Sequence, residues 1–281
     1  MSDLSGLCIH QVSFGLDRGF ADCTLPLVRA GVRKTAVWHQ KLLDHGVAQG
    51  AALLRDQGVR AISICAGGVL SQRADSDFRA ALDLNKRMLA DGAEIGARTM
   101  VTISGGLDEG EKDIRFARDR ALEGLTRLIP EARSAGVKLA LEPLNPVTCA
   151  TRGVLTTTKL ALDWLDLLDA PDIIGLALDT YAIWWDPEIE AQIARAKGRI
   201  LNLHLADWRR DTRDIRFDRG MPGDGVIDLA HLIGSVRATG FDGPLEFELF
   251  SGFDWWKADP DDTVAEMIKR YRALTEGESH G

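Results

Sequence analysis

Eight short apolar runs alternate with longer amphipathic ones along the whole chain, and this alternation limits the fold more than any other feature. Strands are predicted at 7–13 (LCIHQVS), 35–38 (TAVW), 60–65 (RAISIC), 98–103 (RTMVTI), 137–142 (VKLALE), 173–178 (IIGLAL), 200–206 (ILNLHLA) and 244–249 (PLEFEL). Helical patterns lie between them, as at 46–58, 77–96, 114–136 and 156–170, with apolar residues recurring three and four apart. Gly58, Gly136 and Gly240 stand where helices prefer to end. Strict alternation implies a parallel sheet. Eight strand–helix units in 281 residues fit an α/β fold of the (β/α)8 barrel type. A doubly wound open sheet is the alternative. Against it, the first strand–helix turn, SFGLDRGF, has no GxGxxG, and no P-loop occurs anywhere. No linker, low-complexity run or short-period repeat interrupts the pattern, so residues 1–281 read as a single domain.

Composition narrows the class of partner. The 42 acidic residues outnumber the 34 basic ones, for a formal charge of −8. That balance argues against nucleic acid or an anionic membrane surface as a partner. No segment approaches the ~18 apolar residues of a membrane span, and the N-terminus lacks the pattern of a secretion signal. Cys8, Cys23, Cys65 and Cys149 form no CxxC pair, so free thiols in a reducing cytoplasm are expected.

In a barrel of this kind chemistry sits at the C-terminal ends of the strands. The fifth strand runs straight into a carboxylate, LALEPLNP, at Glu142. The sixth reaches Asp179, the seventh carries His204 and then Asp207, and the eighth carries Glu246 and Glu248. Side chains alternate along a strand, so Glu142 shares a face with Ala140, and Asp179 with Ala177 and Gly175. His204 shares its face with Asn202 and Ala206, and Glu246 with Glu248, the latter nearer the top. Glu, Asp, His and Glu on four successive strands cannot converge in a dry site without a neutralising cation. A single divalent ion is the simplest answer, and an oxygen-rich set with one nitrogen suits Mn²⁺, Mg²⁺ or Co²⁺, with Zn²⁺ also admitted. Taken singly, each residue has a plainer reading: a helix cap for a carboxylate, a hydrogen-bonded core residue for His204, a structural acid for Glu246. The four together are harder to explain that way.

The stretches LALEPLNP, LALDTYAIWWDP, LNLHLADW, DRGMPGDGVIDL and GPLEFELFS resemble the sugar phosphate isomerase/epimerase family of xylose-isomerase-like TIM barrels, as do VWHQK and AALLRDQGVRAISICAGG in the N-terminal half. The resemblance covers nearly the whole chain. It implies one divalent ion held by Glu142, Asp179, His204 and Glu248. Glu142 and Glu248 would also flank the substrate and exchange protons with it. Arg219, in DRGMPGDG, would contact substrate oxygens. Three positions depart from the pattern: Ala182 stands where a D-x-x-H histidine is usual, Asn145 where a histidine is common, and Ala66 where an arginine is. All three face the substrate side, so the substrate or even the reaction is expected to differ while the ion is retained.

The reaction expected first is proton transfer beside the carbonyl of a ketose or keto-sugar, with the ion acting as a Lewis acid on the enediolate charge and the two glutamates moving the proton. The alternative is β-elimination from a keto-sugar, keto-inositol or 3-keto-glycoside at the same site. Phosphodiester cleavage, as in related apurinic endonucleases, is disfavoured by the missing histidine and the acidic charge. A non-catalytic sugar-binding module is the fourth reading. Trp184, Trp185, Trp208, Trp255 and Trp256 all follow late strands and are expected to stack on a sugar or exclude water, or else to pack loops. His39, His10, Trp185 and Asp207 are further candidates for substrate contact. Lys257 and Arg209 offer no clear phosphate cradle, so a non-phosphorylated substrate is expected. The FDWWKADP loop could equally close the site or meet a second copy or a partner subunit.

Overall fold

The computed structural model describes residues 3–276. Eight parallel strands follow one another around a closed barrel: β1 (Leu7–His10), β2 (Lys34–Trp38), β3 (Arg60–Gly68), β4 (Thr99–Ile103), β5 (Lys138–Leu141), β6 (Ile174–Asp179), β7 (Ile200–Leu205) and β8 (Leu245–Phe247). Pairing of β8 with β1, Leu7 against Leu245, closes the ring and excludes the open sheet. Around it run α1 (Phe20–Ala30), α2 (His39–His45), α3 (Val47–Asp56), α4 (Asp75–Glu94), α5 (Ile114–Ala135), α6 (Thr158–Leu168), α7 (Thr180–Ile183), α8 (Ile189–Arg195), α9 (Leu229–Ala238) and α10 (Pro260–Glu276). Among the described residues, no helix is long and apolar enough to cross a membrane.

The helices begin and end for local reasons. Asp113 caps α5 by accepting from the amides of Arg115 and Phe116, and Gly136 ends it with φ 68°. Thr157 and Asp228 cap α6 and α9 in the same way. The first strand stops at His10, three residues short of the sequence expectation. The His10 ring accepts from the Val12 amide, and the chain turns into a short 3₁₀ helix over Gln11–Phe14.

Two cores result from the alternation of side chains. Leu139, Leu141, Leu176, Leu178, Leu203 and Leu205 belong to the large cluster between barrel and helices. Inside the barrel, Cys65, Val101, Ala140 and Ala177 form a small separate cluster. These small residues leave room above them for the polar side chains at the C-terminal rim. At the opposite, N-terminal end of the barrel the packing is tight: a Cβ on Gly175 would lie 2.4 Å from the Arg199 carbonyl oxygen.

Candidate active site

The register of the last strands places the polar residues at matching heights. Asp179 pairs with His204, and His204 with Glu246, while Glu248 stands two residues further along. Glu142 is the first residue beyond β5 and keeps a strand-like bond from its amide to the Thr102 carbonyl. Ligand-type atoms of Glu142, His204 and Glu248 all lie within 4.8 Å of one another, and all three residues are buried. His204 Nδ1 is 2.9 Å from Glu142 Oε1 and 3.8 Å from Glu248 Oε2. Asp179 completes the row but turns Oδ2 toward Arg219. The Arg219 Nη1 atom lies 2.9 Å from Asp179 Oδ2 and 2.9 Å from Glu248 Oε2.

Burial and charge act together here. Burial opposes protonation of His204, but Glu248, Glu142 and Glu246 outweigh it and push the imidazole up to about 10. Burial pushes Asp179 up to about 6 against the pull of Arg219. Burial also opposes ionisation of Glu248, yet His204 and Arg219 hold it down at about 2. Arg219 is held above its ordinary value because Asp179 and Glu248 outweigh its own burial. The pocket is therefore strongly attractive to positive charge. Three buried carboxylates and an imidazole whose Nδ1 faces two of them fit a divalent ion by number and type of donor.

Behind this row sits Glu246, fully buried inside the barrel. It accepts from Asn202 Nδ2 at 2.6 Å and Ser63 Oγ at 3.0 Å, and its Oε2 faces His204 Nε2 at 3.8 Å. Its hydrogen-bond partners are thus Asn202 and Ser63, and its charge faces the imidazole nitrogen turned away from the other carboxylates without a hydrogen bond to it. On the opposite side, His10 Nδ1 accepts the Val12 amide, which places the protonated Nε2 3.3 Å from Glu248 Oε1. Burial lowers His10 to about 4, so it faces Glu248 as a neutral ring, and its Nε2 makes no hydrogen bond.

Two of the residues expected to contact substrate hold other partners. His39 points into the helix layer, its Nε2 2.7 Å from Asp91 Oδ2 of α4. Alternation is the reason: Trp38 takes the inward place and packs against the inner cluster, so its neighbour faces out. Asp207 spends its oxygens on the backbone. Oδ1 accepts from the amides of Trp208 and Ile227, and Oδ2 from that of Gly223. Its work is to pin the 219–227 loop, and Gly225 belongs to the same device: a Cβ there would lie 2.3 Å from the Trp208 carbonyl. Trp185 donates Nε1 to the Ala182 carbonyl at 2.7 Å, which fixes the short α7 turn. Trp208 stacks on Tyr181 with ring centroids 4.6 Å apart. Arg209 is engaged by Asp218 and Asp254.

Two aromatic residues escaped the sequence reading. Phe250 is buried, stands edge-on to Trp38 at 5.9 Å, and carries the Arg219 guanidinium 5.1 Å above its ring. Period-two spacing was the signal, since Phe250 continues the inward face of Glu246 and Glu248 and Trp38 continues that of Ala36. Size does not locate the site. A concavity of ≈ 1150 Å³ opens at the other end of the barrel among Arg60, Arg98 and Lys138, where no histidine stands.

Residues 27–274 match the family described as the xylose isomerase-like TIM barrel. The chain belongs to the xylose isomerase-like TIM barrel family. A solved structure, protein SMc04130 from Sinorhizobium meliloti 1021, superimposes with a TM-score of 0.93 and 37% identity over 97% of this chain and 99% of that one. The IOLI protein, crystallised with a binding zinc atom, gives a TM-score of 0.84 at 18% identity over 96% and 97% of the two chains. Among xylose isomerase-like relatives by sequence, an inosose isomerase of Bacillus velezensis is 24% identical over 242 residues, 84% of this chain and 81% of its own length.

Proposed function

We propose that this chain is a divalent-metal-dependent sugar isomerase or epimerase acting on a ketose or keto-sugar. The observation that carries the reading is the convergence of Glu142, His204 and Glu248 within 4.8 Å, beside Asp179, at the buried rim of the barrel. The inosose isomerase relative and the zinc atom in the IOLI protein support it. Glu142, Asp179, His204 and Glu248 would hold the ion, with Mn²⁺ our first candidate.

When bound, the ion supplies Lewis acidity that favours negative charge on the substrate carbonyl oxygen. The chain does the rest. Glu142 or Glu248 takes the proton from the carbon beside the carbonyl, and the other carboxylate returns one. Return to the same carbon gives epimerisation, and return to the neighbouring carbon gives isomerisation. Glu248, held ionised by His204 and Arg219 and touched by His10, is ready to accept a proton at neutral pH. Glu246 places a carboxylate 3.8 Å behind His204 Nε2, and Trp38 and Phe250 meet edge to face beside the pocket.

The test is proton exchange. Mn²⁺-loaded protein should wash deuterium from D₂O into the C–H beside the carbonyl of a ketose, followed by NMR across a ketose panel. Glu142→Gln and Glu248→Gln should each abolish the exchange while the fold persists. Full exchange in both variants would reject the assignment. An unsaturated product seen by absorbance would replace proton transfer with elimination.

A further inference from the structure

The carboxylate–imidazole row is nearly closed off from solvent. Glu142 and Glu248 are each 6% exposed, and Asp179 and His204 are 0% exposed. Beside the row lies a cavity of ≈ 30 Å³, with Thr148, Ala182, Ile215, Arg216 and Arg219 in its wall. It has room for a water or two, whereas pockets that take small molecules run to roughly 300–1,000 Å³. A ketose reaches the row only if part of this wall moves.

The loop between β7 and α9 is built to be that part. It leaves the rim after Asp207 and returns at Gly220, two residues that exchange both backbone hydrogen bonds at 2.9 Å. Residues 209–217 hold no helix or strand. They fold on themselves instead: Asp214 Oδ1 accepts from the amides of Arg216 and Phe217, and the Thr212 amide donates to the Arg209 carbonyl. A loop with adjacent ends, packed by its own groups, moves as a unit. A second bridge, Asp218 with Ser251, ties the far end of the excursion to the chain beyond β8. Side chains hold 209–216 in place. The Tyr181 hydroxyl donates to the Ile215 carbonyl at 3.0 Å. Arg213 Nη2 meets Asp254 Oδ2 at 3.0 Å and Asp218 Oδ1 at 2.7 Å, and Arg209 also meets Asp254.

The neighbouring loops are fixed by their backbones. After β5, the Ala150 carbonyl accepts from the Leu107 amide and the Gly105 carbonyl from the Val154 amide. A Cβ on Gly106 would lie 2.6 Å from the Ala150 oxygen, so this side has no slack. After β8, Trp256 donates its amide to the Ser251 carbonyl and its Nε1 to the Leu249 carbonyl. The loop carrying Asp254 is thus the fixed side of the contact.

We propose that residues 209–216 are a lid over the row, hinged at the two bridges and latched by Tyr181 and Asp254, and that it swings out to admit ligand. A lid in this place excludes water once ligand is bound. The closing element is the loop after β7, and FDWWKADP supplies the residue it latches to. The proposal goes beyond the proton-transfer reading and does not depend on which reaction follows.

Spin labels on Arg210→Cys and Val147→Cys, in a Cys149→Ser background with Mg²⁺, report the opening by pulsed double electron–electron resonance. Both positions are exposed, one on the lid and one on the loop after β5. The distribution should hold a main short distance and a longer one. Tyr181→Phe/Asp254→Asn keeps the side-chain shapes, breaks the latch, and should raise the long-to-short ratio at least about fourfold. Asp172→Asn, which breaks an exposed pair with Arg133, should leave the distribution unchanged. Mn²⁺ kinetics give a second readout. A gate speeds passage both ways, so the double variant should take up Mn²⁺ and lose it to excess EDTA faster by the same factor, with Kd within about twofold of wild type. A distance distribution that the double variant does not change, or faster Mn²⁺ loss without faster uptake, overturns the proposal. Lid and chemistry fail separately. Two distances without deuterium exchange keep the lid and reject proton transfer, and exchange with one fixed distance does the reverse.

Discussion

Replacing Glu246 by Gln should weaken metal binding although Glu246 lies behind the proposed ligands. The side chain is fully buried and is held by Asn202 Nδ2 at 2.6 Å and Ser63 Oγ at 3.0 Å. Glutamine keeps the volume, and both bonds can be remade because a serine hydroxyl accepts as well as donates. What disappears is a negative charge 3.8 Å from His204 Nε2. At an effective dielectric near 20, a full charge at that distance counts about 4 kcal/mol. A neutral imidazole acting as a ligand feels only part of this. The expected loss is therefore about 1.4–2.7 kcal/mol, or roughly 10–100-fold in affinity, the range for partners that orient a ligating histidine. Mn²⁺ titration by water-proton relaxation measures it, with a thermal melt to confirm that the variant folds. Burial pushes the Glu246 carboxyl upward, so the gap between wild type and variant should widen as pH rises and more Glu246 ionises. A folded variant whose Mn²⁺ affinity stays within about twofold of wild type across that range would refute the reasoning.

Three further outcomes follow from the same geometry. Asp207→Ala strips acceptors from the amides of Trp208, Gly223 and Ile227, and should lower stability by about 2–4 kcal/mol in urea denaturation while speeding proteolysis of the 219–227 loop. Gly225→Ala, with its Cβ 2.3 Å from the Trp208 carbonyl, should cost about 1–3 kcal/mol by the same assay, whereas alanine at Gly234, inside α9 with nothing within 4 Å, should raise stability by up to about 1 kcal/mol. Of the thiols, only half-buried Cys149 should react promptly with a disulfide reagent at pH 8. Burial pushes Cys23 up to about 11 and raises Cys8 and Cys65 as well, so these should label only after denaturation.

The barrel was legible because two periods, one of strands and one of helices, repeat eight times and leave few topologies open. The clustering of Glu142, His204 and Glu248 was legible for a related reason. Each ends a strand, and strand alternation fixes which way a side chain points. Legibility failed where alternation was not carried past the strand end. Trp38 and Phe250 obey the same period as their neighbours, and by that period His39 takes the outward place. Asp207 failed differently. Its role depends on backbone amides at Gly223 and Ile227, a contact made by loop closure that no local pattern reports.

Diffraction from a crystal soaked in Mn²⁺, with data collected across the manganese absorption edge, addresses the central claim most directly. The account predicts one anomalous peak in bonding range of Glu142, Asp179, His204 Nδ1 and Glu248, with Arg219 drawn away from at least one of the two carboxylates it now bridges. A peak elsewhere, or none at a concentration that saturates the site in solution while Arg219 still spans Asp179 and Glu248, would contradict it.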